Sequence, residues 1–159
     1  MKRILITFIA AMAILMQFNL YAQKIPLNKF DKRGIEVINH FMNVLLNNAT
    51  NEEAAAKAAM PFINPVDYDS NGTSLKSYKL QFPFKKAWRN AKYYQVPVSV
   101  TRIYQVRIAD MVSYPIKQPG KVYQVWIASR KDINGLPASF HLFFPEDGAV
   151  PTLLYYGSL

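Results

Sequence analysis

Val96-Pro97-Val98-Ser99-Val100-Thr101-Arg102-Ile103-Tyr104-Gln105-Val106-Arg107-Ile108 is the stretch in which the periodicity of this chain changes. Val96, Val98, Val100, Arg102, Tyr104, Val106 and Ile108 alternate along it, while Gln95, Ser99, Thr101, Gln105 and Arg107 fall mainly between them. A repeat of two places successive side chains on opposite faces of an extended strand. The same theme returns in Val122 to Ala128, Ala138 to Phe144 and Thr152 to Tyr156, rich in aromatic and β-branched residues. Pro115 to Gly120, Asn134-Gly135 and Asp147-Gly148 separate these runs with turn-forming residues. Spacers this short join antiparallel neighbours, because parallel strands need a long crossover. The expectation is an antiparallel meander of about four strands.

Upstream the period is helical. Asp31 has the chemistry of an N-cap, and Phe30 with Ile35 the spacing of a hydrophobic staple. Ile35, Ile38, Met42 and Leu45, with Phe41 beside them, form one apolar stripe that ends at Asn47-Asn48. Thr50 followed by Glu53 reads as a capping box for a second helix through the alanines 54–59, closed by Pro61. Leu75, Tyr78, Phe82, Phe84, Ala87 and Trp88 keep helical spacing despite Pro83, which implies a kinked helix or two short ones with Pro83 in a first turn. Helices first and strands afterwards describe an α+β domain, with N-terminal helices packed on a curved antiparallel sheet.

The first residues carry a different message. Lys2 and Arg3 precede an apolar run from Ile4 to Met16, loosened by Gln17 and Asn19, and Ala22 offers a small residue to a peptidase. This is the pattern of a secretory signal, with cleavage expected between Ala22 and Gln23. A retained membrane anchor would need about 20 predominantly apolar residues. Residues 23–159 then form a single domain, 137 of the 159 residues, that works in the periplasm or outside the cell. Lys2 and Arg3 account for two of the net charge of +9, leaving +7 on that domain.

Composition excludes several chemistries. The chain has no cysteine, so a disulfide framework, thiolate zinc sites and a cysteine nucleophile are ruled out, as is a lipid attached at the cleavage point. With His40 and His141 as its two histidines, it lacks a histidine-rich metal site. No cofactor is expected. Positive charge favours anionic neighbours, and for an exported domain these are lipid head groups or acidic polysaccharides rather than nucleic acid. The basic residues look scattered along the chain, which favours a plain solubility role.

The order of elements from Asp31 to Leu159 resembles the nuclear-transport-factor-2-like, or cystatin-like, α+β cone. That resemblance implies a sheet wrapped around the first helix with a pocket at the open end. It embraces non-catalytic binding and dimerisation modules, so a homodimer is a further expectation, as well as isomerases and dehydratases with acidic, tyrosyl or histidyl groups in the pocket. None of the family's catalytic motifs is matched here, and no active site is carried over.

Candidate chemistry rests on a few side chains. His141 shares a strand face with Ser139 and Phe143, opposite Phe140, Leu142 and Phe144, and with a carboxylate such as Asp67 or Asp69 it would be a general base. Glu36 and His40 are four apart on one helix face, which suits an ion pair and cannot fill a metal shell. Asp67, Asp69, Asn71 and Gly72 imitate the start of a calcium loop, but Tyr78 stands where its terminal acid would be. Asn48-Ala49-Thr50 and Asn71-Gly72-Thr73 match the glycosylation acceptor pattern. Tyr93, Tyr94, Tyr104, Tyr114, Tyr123, Trp126, Tyr155 and Tyr156 supply rings with polar tips, near Arg102, Arg107 and Lys121. Arg102, Tyr104 and Trp126 are the expected ligand-binding residues. Two functions follow: a non-catalytic domain binding a small amphipathic molecule or a protein partner, or a small cofactor-independent isomerase, dehydratase or hydrolase.

Overall fold

The computed structural model describes residues 22–107 and 116–159. The leader up to Tyr21, and Ile108, Tyr114 and Pro115, lie outside the described residues. Helix α1, Lys32–Asn47, begins where Asp31 accepts a hydrogen bond from the Arg33 amide at 3.0 Å. Its buried face is Val37, Ile38, Phe41, Met42 and Leu45. The helix stops at Asn48, whose side-chain amide donates to the Val44 carbonyl and whose own carbonyl accepts from the Trp88 indole at 2.9 Å.

Helix α2, Glu52–Ala59, is capped by Asn51 rather than Thr50. The Asn51 side chain accepts from the Ala54 amide at 3.0 Å, so the cap lies one residue on and the expected Thr50–Glu53 capping box is not formed. Helix α3 is one continuous passage composed of Ser77–Lys79, a wide π-type turn Leu80–Phe84, and Lys85–Asn90. Pro83 lies inside it, not in a first turn. A proline has no amide to give the regular ladder and crowds the preceding turn, and the extra residue of a π-turn accommodates that locally.

Five strands form one antiparallel sheet in sequence order: β1 Gln23–Lys24, β2 Val100–Val106, β3 Gly120–Ile127, β4 Ala138–Pro145 and β5 Thr152–Tyr155. The fold is α+β, and the strand beyond the expected four is the two-residue β1, too short to show a period. At the far edge, the Asn64 amide donates to the Leu153 carbonyl and the Asn64 side chain reaches Thr152 Oγ1 at 2.8 Å, covering part of β5.

The sheet has two unlike faces. Ile103, Val125, Ile127, Phe140, Leu142 and Leu153 join the α1 stripe in the main core, where Phe41 meets Phe140 and Tyr156 edge-on or tilted. The uniform face expected from Val96 to Ile108 is broken. Val100 pairs with Ile127 and Arg102 with Trp126, so Thr101 is an extra residue in β2. Such a bulge shifts the alternation by one and sends later side chains to the other face. Val96, Val98 and Val100 therefore pack on the main core with Ile103, whereas Arg102, Tyr104 and Val106 face away from α1. No helix of the described residues is long and apolar enough to cross a membrane.

Candidate functional site

Strand register arranges the face away from α1 in three rows. Residues directly opposite each other in adjacent strands share a face and touch. Arg102, Trp126 and Ser139 form the first row; Lys24, Tyr104, Gln124, His141 and Tyr155 the second; Val106, Val122, Phe143 and Thr152 the third. The third row is closed over: Val122, Phe143 and Leu154 are buried, with Val66, Val106 and Ile116 against them. The first two rows are more open, with Arg102 exposed and Tyr104, Gln124 and Trp126 half-buried.

Arg102 and Trp126 are brought together. The guanidinium carbon lies 4.5 Å from the indole ring centroid, within the range of a cation–π contact. Tyr104 is on the same face, opposite Gln124 in the next row. The three expected ligand-binding residues thus converge, but on the surface remote from α1. The space between α1 and the sheet is filled by fully buried Ile38, Phe41, Met42, Phe140 and Leu142. Gln124 Nε2 lies 3.5 Å from Ser139 Oγ, itself 3.2 Å from Ser158 Oγ, giving the face a polar floor. None of the strand residues in these rows is acidic.

His141 is 7% exposed, and its ring lies against Tyr155 with centroids 5.3 Å apart. Neither ring nitrogen has a hydrogen-bond partner among the described residues. Burial pushes its pKa down to about 4, so the imidazole is neutral at neutral pH and a weak base. Asp67 and Asp69 do not join it. Asp67 is buried and pairs through Oδ1 with the Lys79 ammonium at 2.8 Å. Burial raises the Asp67 pKa, and the Lys79 hydrogen bond and charge work against that rise. Asp69 accepts from the Thr73 and Ser74 amides and hydroxyls, holding its own turn together. Among the described residues, neither Asp67 nor Asp69 stands beside His141 as a general-base partner.

His40 is exposed on α1 and stacks on Phe62, ring centroids 5.7 Å apart. Of the two glycosylation patterns, Asn71 sits in an exposed turn, while Asn48 is half-buried and engaged as a helix cap. Among the described residues no group of three or more His, Asp or Glu is placed to hold a metal ion.

Sequence reasoning passed over a second cluster. Tyr156 is fully buried, its hydroxyl has no partner among the described residues, and burial, with the Asp67 charge adding to it, pushes its pKa well above the usual phenol value. Tyr68 donates to the Met60 and Ile63 carbonyls. Lys79 closes the cluster against Asp67 from α3. Only the Lys76 and Lys79 spacing hinted at it, and a lysine pair on a helix carries no pointer to a buried acid twelve residues earlier. Comparison with protein-family models, curated proteins and solved structures finds no match to this chain.

Proposed function

We propose that this chain is an exported, non-catalytic binding domain whose ligand rests on the open sheet face against Arg102, Trp126 and Tyr104. One observation carries the reading: a cation–π pair and a tyrosine stand on one surface over a polar floor of Gln124 and Ser139, with no carboxylate among them. Indole and phenol rings supply flat apolar area at small entropic cost, and the guanidinium and amides supply orientation. Such a surface suits an amphipathic molecule or the planar portion of a protein partner. It is not arranged to move protons: burial holds His141 neutral, and its ring nitrogens have no hydrogen-bond partner among the described residues.

Native mass spectrometry of protein purified from its own host tests this reading. We expect a bound mass that is lost in Trp126→Ala and reduced in Arg102→Ala, both still folded by circular dichroism. A folded Trp126→Ala protein that keeps the bound mass at unchanged occupancy refutes the assignment. Trp126 and Trp88 are the chain's two tryptophans. A Trp88→Phe background therefore lets fluorescence report on Trp126 alone.

A further inference from the structure

A groove of about 760 Å³ runs beside the edge of the sheet, between α3 and β5. Lys79, Lys85, Lys86, Arg89, Phe82 and Tyr155 line it, and no carboxylate does among the described residues. Two of its cations are already matched: Lys79 by Asp67 at 2.8 Å and Lys85 by Glu52 at 3.5 Å. Lys86 and Arg89 are exposed and have no ion pair among the described residues. Elsewhere on the surface Arg33 and Arg130 are each neutralised by an aspartate two residues away, Asp31 and Asp132. The groove thus brings four cations together on one lining that has no acid of its own, and two of the four have no ion pair among the described residues.

Phe82 stands at its mouth, 71% exposed, while Phe84 two residues on is fully buried. The π-turn around Pro83 presents the first ring outward as it sends the second into the core. Tyr78 and Tyr155 beside it are 41% and 37% exposed. From Lys76 to Lys92 the chain has six basic residues and no acidic one. A benzyl group without a polar tip gains nothing from water or from sugar hydroxyls, and gains by entering an apolar boundary. Cations flanking an exposed aromatic ring are the pattern of a surface that rests on a charged lipid interface.

We propose that this groove docks on an anionic lipid surface, with Phe82 entering the headgroup boundary and Lys86 and Arg89 meeting lipid phosphates. This groove borders the Arg102–Trp126 face at Tyr155 but shares none of its proposed ligand contacts, so either assignment can fail alone.

The test is sedimentation of the full chain with vesicles of phosphatidylcholine, or of phosphatidylcholine mixed with phosphatidylglycerol. Every variant is prepared identically, so any contribution from the N-terminal residues is common to all. Binding is expected to the mixed vesicles and to collapse as salt rises from 0.1 to 1 M, where the screening length falls from about 10 to about 3 Å. Lys86→Gln with Arg89→Gln lowers partitioning roughly 30-fold, about fivefold per lost charge. Phe82→Ser lowers it roughly tenfold, the effect of withdrawing about half of a phenylalanine side chain from burial, and Phe82→Trp restores it. Leu136→Ser removes a side chain 84% exposed elsewhere and changes nothing. Equal partitioning into both vesicle types overturns the proposal, as does indifference to the double charge variant or an equal loss from Leu136→Ser. Binding to polygalacturonate but not to the mixed vesicles, with the same dependence on Lys86 and Arg89, assigns the groove to an acidic polysaccharide instead.

Discussion

His141 makes the stability of this protein fall as solution turns mildly acidic. In the folded chain burial holds its pKa at about 4, against an ordinary value of 6.5. Below pH 6.5 the unfolded chain takes up a proton that the folded chain refuses, so acid favours unfolding. The contribution is intact above pH 6.5, is lost progressively as pH falls, and is fully lost below about 4. At 1.36 kcal/mol per pH unit the gap is worth about 3 kcal/mol, with about 2 kcal/mol of it gone between pH 7 and pH 5. Other groups titrate nearby. Asp31 and Asp132, held low by hydrogen bonds from Arg33 and Arg130, also lose stabilisation toward acid, while burial-raised Asp67 acts in the opposite sense. A difference measurement removes them. Urea denaturation of the wild type and of His141→Phe at matched pH values supplies it. Phe keeps an aromatic ring against Tyr155 and forfeits no hydrogen bond to the described residues, since neither His141 nitrogen makes one among them. The variant is expected to be at least as stable as wild type at pH 7, and to gain about 2 kcal/mol over it by pH 5. Parallel stability curves for the two proteins would refute the reasoning, since they would mean that His141 is protonated alike in both states.

Lys79→Met removes the ammonium paired with the buried Asp67 carboxylate, so urea denaturation should show a loss of about 3 kcal/mol. Asp67→Leu combined with Lys79→Met should recover part of that loss; equal losses in the single and double variants would contradict the burial argument. Gly34→Ala gains about 1 kcal/mol of helix propensity, yet its new carbon would lie 2.7 Å from the Phe144 ring and 3.0 Å from Leu142 and Phe30. Overpacking of that kind costs about 1–3 kcal/mol. A net loss near 1 kcal/mol is expected, read from the thermal midpoint, and a stabilised Gly34→Ala protein would show that β4 yields to α1.

Alternation and capping are local properties, and they were legible along the chain. The Asp31 cap, the α1 stripe from Ile38 to Leu45, the strand runs and the division of β4 into a Ser139–His141–Phe143 face and a Phe140–Leu142–Phe144 face depend on neighbours a few residues away. So does the α+β order of elements. The cap of α2 was misread by one residue because Thr50 and Asn51 are both competent caps, and only the path of the backbone into α2 selects between them. The bulge at Thr101 decided much more. It depends on how β2 registers against β3, a pairing between separate strands, and it moved Arg102 and Tyr104 to the outer surface beside Trp126. Lys79 finding Asp67, and Lys85 finding Glu52 while Lys86 and Arg89 have no ion pair among the described residues, also depend on which distant segments meet. Single-chain periodicity records whether a side chain alternates or recurs at helical spacing. Which partner waits on the other side is settled when helices and strands dock, and for this protein that docking determines where both candidate surfaces lie.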